Sequence, residues 1–260
     1  MHVLVAIDWH VIWLRIFHPD NVFARALWAT VWISVVAQTI GVLLGLLAAL
    51  ARMSPFAPFR FASGVYIWVF RGTPVLVQLF YIYFAFHWPT WHFGFWTVTD
   101  AALAATVALS INEGAYMREI IRAGIDSIDK GQMEAAKAIG MTYGQAMRRI
   151  ILPQAARVIV PPLGNEFNNM MKTTSLAYTI GVYELFADAE QKYSQFFIAD
   201  YFLAVACWYL VLTTVWTFVQ AWIERRLAVS ERGDELSFRE RLQEAWNPMT
   251  AWGRGAPRMR

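Results

Sequence analysis

From residue 26 to residue 51 no side chain carries a full charge. As a helix this stretch would be roughly 39 Å long, more than the roughly 30 Å hydrocarbon core of a bilayer. A soluble core helix of that length would need a polar stripe, and this one has none. The stretch predicts a spanning helix near 26–50. The chain holds more of the same kind. Gly72 to Thr99 is free of full charges and predicts a span near 73–88, followed by a loop dense in aromatics. Tyr201 to Ile223 predicts the last span.

Two further segments are apolar with interruptions. One follows Asp100 and contains Asn112, Glu113 and Arg118; the other covers about 155–186 and contains Pro161, Pro162, Glu166 and Lys172. Charges and backbone breaks at membrane depth survive where protein or a wet cavity surrounds them. Both segments therefore read as pathway-lining helices, with a break expected within 158–182. The fold class is all-α: a polytopic membrane protein of about five transmembrane helices. Residues 53–71 read as an amphipathic segment on the membrane surface. Composition agrees, since 16% of residues are charged against about 25% in soluble domains. The 13 Trp suit membrane–water boundaries.

Lys and Arg concentrate in loops on the cytoplasmic side of a membrane. The 51–71 connection has Arg52, Arg60 and Arg71, and the 118–157 connection has seven basic residues from Arg118 to Arg157. The 88–99 loop has none and 187–200 has only Lys192. This predicts an outer N-terminus and a cytoplasmic C-terminus, as an odd number of spans requires. Residues 1–25 form an outer segment, 26–226 the membrane domain and 227–260 a cytoplasmic tail, in which 236–246 is a candidate surface helix. No cleavable signal pattern is expected at the N-terminus.

The net charge of +3 and the lack of a basic patch interleaved with aromatics argue against nucleic acid. One cysteine, Cys207, forms no internal disulfide, and no Cys/His cluster predicts a metal. There is no G-x-x-x-x-G-K-[ST] phosphate loop, no H-E-x-x-H and no Ser/His/Asp constellation, so the chain is not expected to be catalytic.

The polar insert 126–153 reads DSIDKGQMEAAKAIGMTYGQAMRRIILP. Asp129 with Gln132 and Thr142 with Gln145 both fit capping boxes. Gly140 can end the first helix, and Pro153 resets the chain before the next span. Two short helices at an angle would make a knob. Glu134, Ala135 and Ala136 lie on the first, with small residues that permit close approach by a partner. An amphipathic connector is the alternative for these residues taken alone.

Glu134-Ala135-Ala136, Gly140, Ile150 and Leu152-Pro153, at these spacings, resemble the EAA loop of permeases of ATP-binding-cassette (ABC) type I importers. Arg71-Gly72-Thr73-Pro74-Val75-Leu76-Val77-Gln78 resembles the signature of that family's polar amino acid branch. Ala115-Tyr116, Glu119, Arg122-Ala123-Gly124-Ile125, Asn165-Glu166-Phe167 and Lys172-Thr173-Thr174-Ser175-Leu176 resemble its other blocks. The resemblance runs from about residue 26 to 226. It implies a coupling helix that docks an ATPase through Glu134, Ala135, Ala136 and Gly140. It further implies two ATPase subunits that hold the ATP and magnesium, a second permease subunit and an extracytoplasmic binding protein, in a bacterial cytoplasmic membrane. Residues 1–23 and 229–260 fall outside it.

An amino acid carries a carboxylate and an ammonium. Lys172 and Glu166 are candidates to meet them, with Glu113, Asn112 and Tyr116 as further pathway residues. Glu166 and Lys172 are six apart, about 120° out of line on a straight helix, so they pair only if the helix is broken. Arg71 is expected to stabilise the Gly72–Pro74 turn or meet lipid headgroups. A secondary transporter or channel driven by an ion gradient is the competing reading. The chain shows no internal repeat, which many such transporters have.

Overall fold

The computed structural model describes residues 7–94 and 96–227. The tail from 228, with its candidate helix 236–246, lies outside the described residues. The described residues are helical almost throughout. In order it forms α1 (Trp9–Phe17), α2 (Asn21–Met53), α3 (Ala57–Gly72), α4 (Val75–Ala85), strands β1 (Trp91–Phe93) and β2 (Trp96–Val98), α5 (Asp100–Asp126), α6 (Lys130–Ala138) and α7 (Tyr143–Ala146). A π-turn, Met147–Ile151, leads into α8 (Leu152–Thr173). A 3₁₀ segment, Thr174–Ile180, then leads to α9 (Leu185–Phe196) and α10 (Asp200–Leu227).

Of the described helices, α2 and α10 are long and apolar enough to cross a membrane alone. The third candidate is the pair α3 and α4, bent by 107° at their break. The expected single span at 73–88 is therefore corrected: α4 has 11 residues, roughly 16 Å, and needs α3 to complete a crossing. The surface position expected for 53–71 is corrected as well. Ser63 Oγ donates to Ala48 O and Tyr66 O–H donates to Ile111 O, which packs α3 against α2 and α5. The run from Gly72 to Pro74 stops α3, because a proline disfavours helical geometry in the residue before it. At 27 and 22 residues, α5 and α8 have the length of spans. Their charged residues keep them from looking like spans by composition.

The centre of the bundle is α2 on α5. A Cβ on Gly41 would stand 2.7 Å from Glu113 Cβ, and Gly45 lies against Met117. Both numbers rise together, so the two helices run parallel. Small residues let the backbones approach, and α5 supplies Ala101, Ala102, Ala104, Ala105 and Ala108 as its buried face. Ile33, Leu79, Ile82, Leu109, Met170 and Ile180 fill one cluster across α2, α4, α5, α8 and the 3₁₀ segment. Met117, Ile121, Ile125, Ile151 and Ile159 fill a second, toward the end that bears α6 and α7.

Three features depart from the sequence expectations. The 88–99 loop contains an antiparallel ribbon, with Trp91 opposite Val98 and Phe93 opposite Trp96. Aromatic and β-branched residues favour that pairing. Residues 185–196 are helical, not a loop. The N-terminal segment contains α1, capped by the Asp8 side chain on His10 N and Val11 N. Its Arg15 is buried, bridging Asp20 at 2.8 Å and Asp188 at 3.6 Å, with its guanidinium 5.7 Å from the Phe23 ring centre. The Phe23 N–H and the Arg15 guanidinium hold the Asp20 carboxyl below the usual carboxylate range.

Candidate functional site

Two places in the chain could carry function: the loop between α5 and α8, and the polar residues of the membrane helices.

The loop begins where α5 is stiffened by an ion ladder. Arg118 pairs with Glu119, and Arg122 with Glu119 at 3.4 Å and Asp126 at 2.6 Å. The Asp129 side chain then accepts from Gly131 N at 2.6 Å and opens α6. The reciprocal box expected with Gln132 is not made, because the Gln132 side-chain oxygen accepts from Gln154 Nε2 instead. The second box is complete: Gln145 N donates to Thr142 Oγ1 at 3.3 Å and Thr142 N donates to Gln145 Oε1 at 2.9 Å. Gly140 turns the chain between them at φ +84°, a left-handed conformation that costs L-residues about 1 kcal/mol or more. Gly140 N and Met141 N close the turn on Lys137 O and Ala136 O.

This geometry divides the predicted docking residues. Glu134, Ala135 and Gly140 are exposed. Ala136 is 1% exposed and faces inward, so its place on the presented face is corrected. Its small size serves the packing of α6 onto the rest of the loop. Ile139, 77% exposed, and Tyr143, 55% exposed, stand at the knob's tip. The sequence reading passed over them. An isoleucine directly before the turn glycine was the available signal.

The membrane residues separate as well. α8 runs unbroken through Pro161 and Pro162. The break expected near them falls later, where α8 tightens into the 3₁₀ segment after Thr173. Partners on α10 occupy backbone carbonyls at this stretch: Gln220 Nε2 donates to Pro161 O and Trp216 Nε1 to Gly164 O. With the helix intact, Glu166 and Lys172 form no ion pair. Lys172 is exposed and lines an open cavity of ≈ 440 Å³ with Ser175, Phe186, Tyr209 and Thr213. Glu166 is about 120° around α8 from Lys172, near Glu113.

Glu113 is 5% exposed, and its Oε1 has no hydrogen-bond partner. Gln38, on α2, is near it and also holds a buried, unpartnered oxygen. Asn112 is tied down: its Nδ2 donates to Phe70 O at 3.1 Å and Gln78 Oε1 at 2.9 Å. Gln78 Nε2 in turn donates to Phe70 O, Thr73 O and Thr73 Oγ1. Gln78 and Asn112 thus knot the break between α3 and α4, where backbone groups would otherwise be left open. Tyr116 is partly exposed, with the Arg71 guanidinium 5.3 Å from its ring centre. Arg71 is therefore held beside the break by a cation–π contact. Gln38 and Gln78 were missed as site residues; their signal was an amide inside an otherwise apolar run.

Comparison with known proteins places these features together. The profile of "Binding-protein-dependent transport system inner membrane component" matches residues 41–229. The chain is 38% identical over 217 residues to an arginine transport system permease protein of Corynebacterium glutamicum, covering 79% of this chain and 68% of the relative. It is 40% identical over 224 residues to an L-cystine transport system permease protein of Bacillus subtilis, covering 85% and 92%. A solved amino acid ABC transporter superposes with a TM-score of 0.73 at 37% identity, covering 86% of this chain and all of that one. The MetNI methionine ABC transporter shares the fold at a TM-score of 0.65 and 18% identity, over 80% and 96% of the two chains. The profile match spans the polar membrane helices and the exposed loop alike, and the chain belongs to the family of binding-protein-dependent transport system inner membrane components.

Proposed function

We propose that the chain is the permease subunit through which an ABC importer carries a polar amino acid, with its N-terminus outside and C-terminus in the cytoplasm. The exposed loop carries this reading: Glu134, Ala135, Ile139 and Tyr143 stand clear of the bundle on a knob fixed by Gly140 and the Thr142–Gln145 box. Such a knob suits the groove of a partner ATPase, which supplies the phosphate loop missing from this sequence and holds the ATP and magnesium. Two ATPases then dock on two permease subunits, this one and a second copy or homologue, and an outer binding protein delivers the cargo. The basic residues at the α2–α3 junction, Arg52 and Arg60, and those of the loop between α5 and α8, Lys130, Lys137, Arg148 and Arg149, support the orientation. The arginine and cystine relatives support the cargo class.

The mechanism follows from how the loop is attached. α6 and α7 join the bundle through α5, stiffened by the Arg118–Glu119–Arg122–Asp126 ladder, and through the π-turn into α8. ATP-driven approach of the ATPases moves the knobs, and α5 and α8 carry that motion to mid-membrane. There Glu166 and Glu113 face the ammonium side of the cargo and Lys172 its carboxylate. With Glu166 and Lys172 about 120° apart around the intact α8 and not ion-paired, the two ends of the cargo are met at separate points. Asn112 and Tyr116 act on the pathway by holding the α3–α4 break and Arg71.

The test is affinity purification of the full chain from native membranes in mild detergent, with mass spectrometry of what accompanies it. An ATPase bearing a phosphate loop accompanies the wild type and is depleted by Glu134→Arg and by Gly140→Val. A folded wild type that brings down no ATPase refutes the docking. Transport of a labelled amino acid in vesicles then tests the cargo: full uptake by Lys172→Ala removes Lys172 from the pathway.

A further inference from the structure

α3 has two faces. One packs on the bundle through Ser63 and Tyr66. The other presents Phe61, Gly64, Val65 and Trp68, spaced i, i+3, i+4, i+7, so that they form one stripe along the helix. Phe61 is 74% exposed and Trp68 77% exposed. These four residues line an open groove of ≈ 260 Å³, together with Arg52 and Arg60. Arg52 belongs to the last turn of α2, a membrane span. The guanidiniums therefore stand near the boundary of the bilayer. The stripe runs inward from them, because Tyr66 on the same helix reaches Ile111 near the middle of α5.

The groove lacks a countercharge. Among the described residues neither Arg52 nor Arg60 forms an ion pair. Arg60 Nη1 donates to Ser54 O at 3.1 Å and to Pro55 O at 2.5 Å, which fixes the guanidinium beside the groove without neutralising it. A Cβ built on Gly64 would touch nothing within 4 Å, so the glycine leaves the floor of the groove open.

We propose that this groove binds an anionic phospholipid, its phosphate between Arg52 and Arg60 and one acyl chain along Phe61, Gly64, Val65 and Trp68. Guanidinium forks match the geometry of phosphate oxygens, and paired basic residues at a span's end attract anionic headgroups. A soluble phosphate would leave the apolar stripe unused. A zwitterionic lipid would bring its own cation toward two guanidiniums. The proposal does not depend on the cargo or on the ATPase.

The test is native mass spectrometry of the full chain, extracted with its partners in mild detergent and titrated with phosphatidylglycerol or phosphatidylcholine. The wild type retains phosphatidylglycerol in preference to phosphatidylcholine. Arg52→Gln with Arg60→Gln weakens that retention about 30-fold. Gly64→Leu alters no charge, favours the helix and fills the groove; it weakens retention while the arginines remain. Glycerol 3-phosphate, which has the phosphate and no acyl chains, does not displace the lipid. Equal retention by the wild type and either variant overturns the proposal, as does displacement by glycerol 3-phosphate, equal affinity for the two lipids, or no retention by the wild type.

Discussion

Glu184 and Glu113 are both buried carboxylates in this helical bundle, and the bundle treats them differently. Glu184 is 0% exposed and surrounded by donors: Phe186 N at 3.0 Å, Ala187 N at 2.9 Å and the Tyr209 hydroxyl at 2.9 Å, with Thr30 Oγ1 at 3.5 Å. It caps α9 and fastens it to α2 and α10. Glu113 is 5% exposed, yet its Oε1 accepts from nothing, although Gln38 lies beside it. A buried polar group without partners costs about 1–3 kcal/mol, and native structures keep few of them. One carboxylate holds the fold together; the other is kept at some cost to it.

That contrast breaks first at Glu184. Glu184→Ala leaves two backbone N–H groups and the Tyr209 hydroxyl without acceptors. At about 1–3 kcal/mol for each orphan, stability falls by about 3 kcal/mol or more. The measurement is the temperature at which half of the detergent-solubilised chain stays monodisperse. An unchanged midpoint would mean that the cap is dispensable and that burial alone does not separate the two residues. Gly41→Val comes next. Its new Cβ would stand 2.7 Å from both Cβ and Cγ of Glu113. Overpacking of this kind costs about 1–3 kcal/mol, read by the same midpoint. If Gly41→Val is neutral, α2 and α5 yield easily and the close approach does not fix the Glu113 side chain.

A smaller effect tests the loop against the bundle. Thr142→Ala removes the hydroxyl that accepts from Gln145 N, worth about 1 kcal/mol in a helix N-cap. Hydrogen exchange of the amides in 143–146 should quicken while those of α5 stay protected. Uniform change along the chain would show that the loop does not open as its own unit.

How legible these regions were follows from what holds them. α2 and α10 announce themselves, because a span without charged residues shows as a continuous apolar run. The second half of the loop was legible because the Thr142–Gln145 box is local in sequence. The Asp129–Gln132 box was not, since Gln132 turns to Gln154, across the loop. The α3–α4 break was visible at Pro74, yet its fastening by Gln78 and Asn112 joins positions 34 apart in sequence. The double proline in α8 suggested a break there. Its neighbours on α10, Trp216 and Gln220, occupy carbonyls of the same stretch, and the helix continues. Glu184 was not singled out by sequence, because its partners Thr30 and Tyr209 come from two other helices. Glu113 was picked out for its charge at membrane depth, a property of one residue alone.

The smallest change in stability is expected at Glu113, which the proposed pathway places beside the cargo. Glu113→Gln keeps the shape and removes the charge. Its new N–H₂ gains a possible acceptor in Gln38 Oε1, which now has no partner. The midpoint should therefore stay within about 0.5 kcal/mol of wild type or rise, while uptake in vesicles falls at least tenfold, or about 1.4 kcal/mol. Glu184→Gln serves as the control and should do the reverse: its N–H₂ replaces one of two accepting oxygens and so faces either the Phe186 or the Ala187 N–H, which lowers the midpoint. If Glu113→Gln destabilises the chain as much as the Glu184 variants do, an unseen partner holds Glu113 and it is a structural residue. If it leaves both stability and uptake unchanged, the charge at position 113 has no part in the pathway, and Glu166 remains as the acidic candidate.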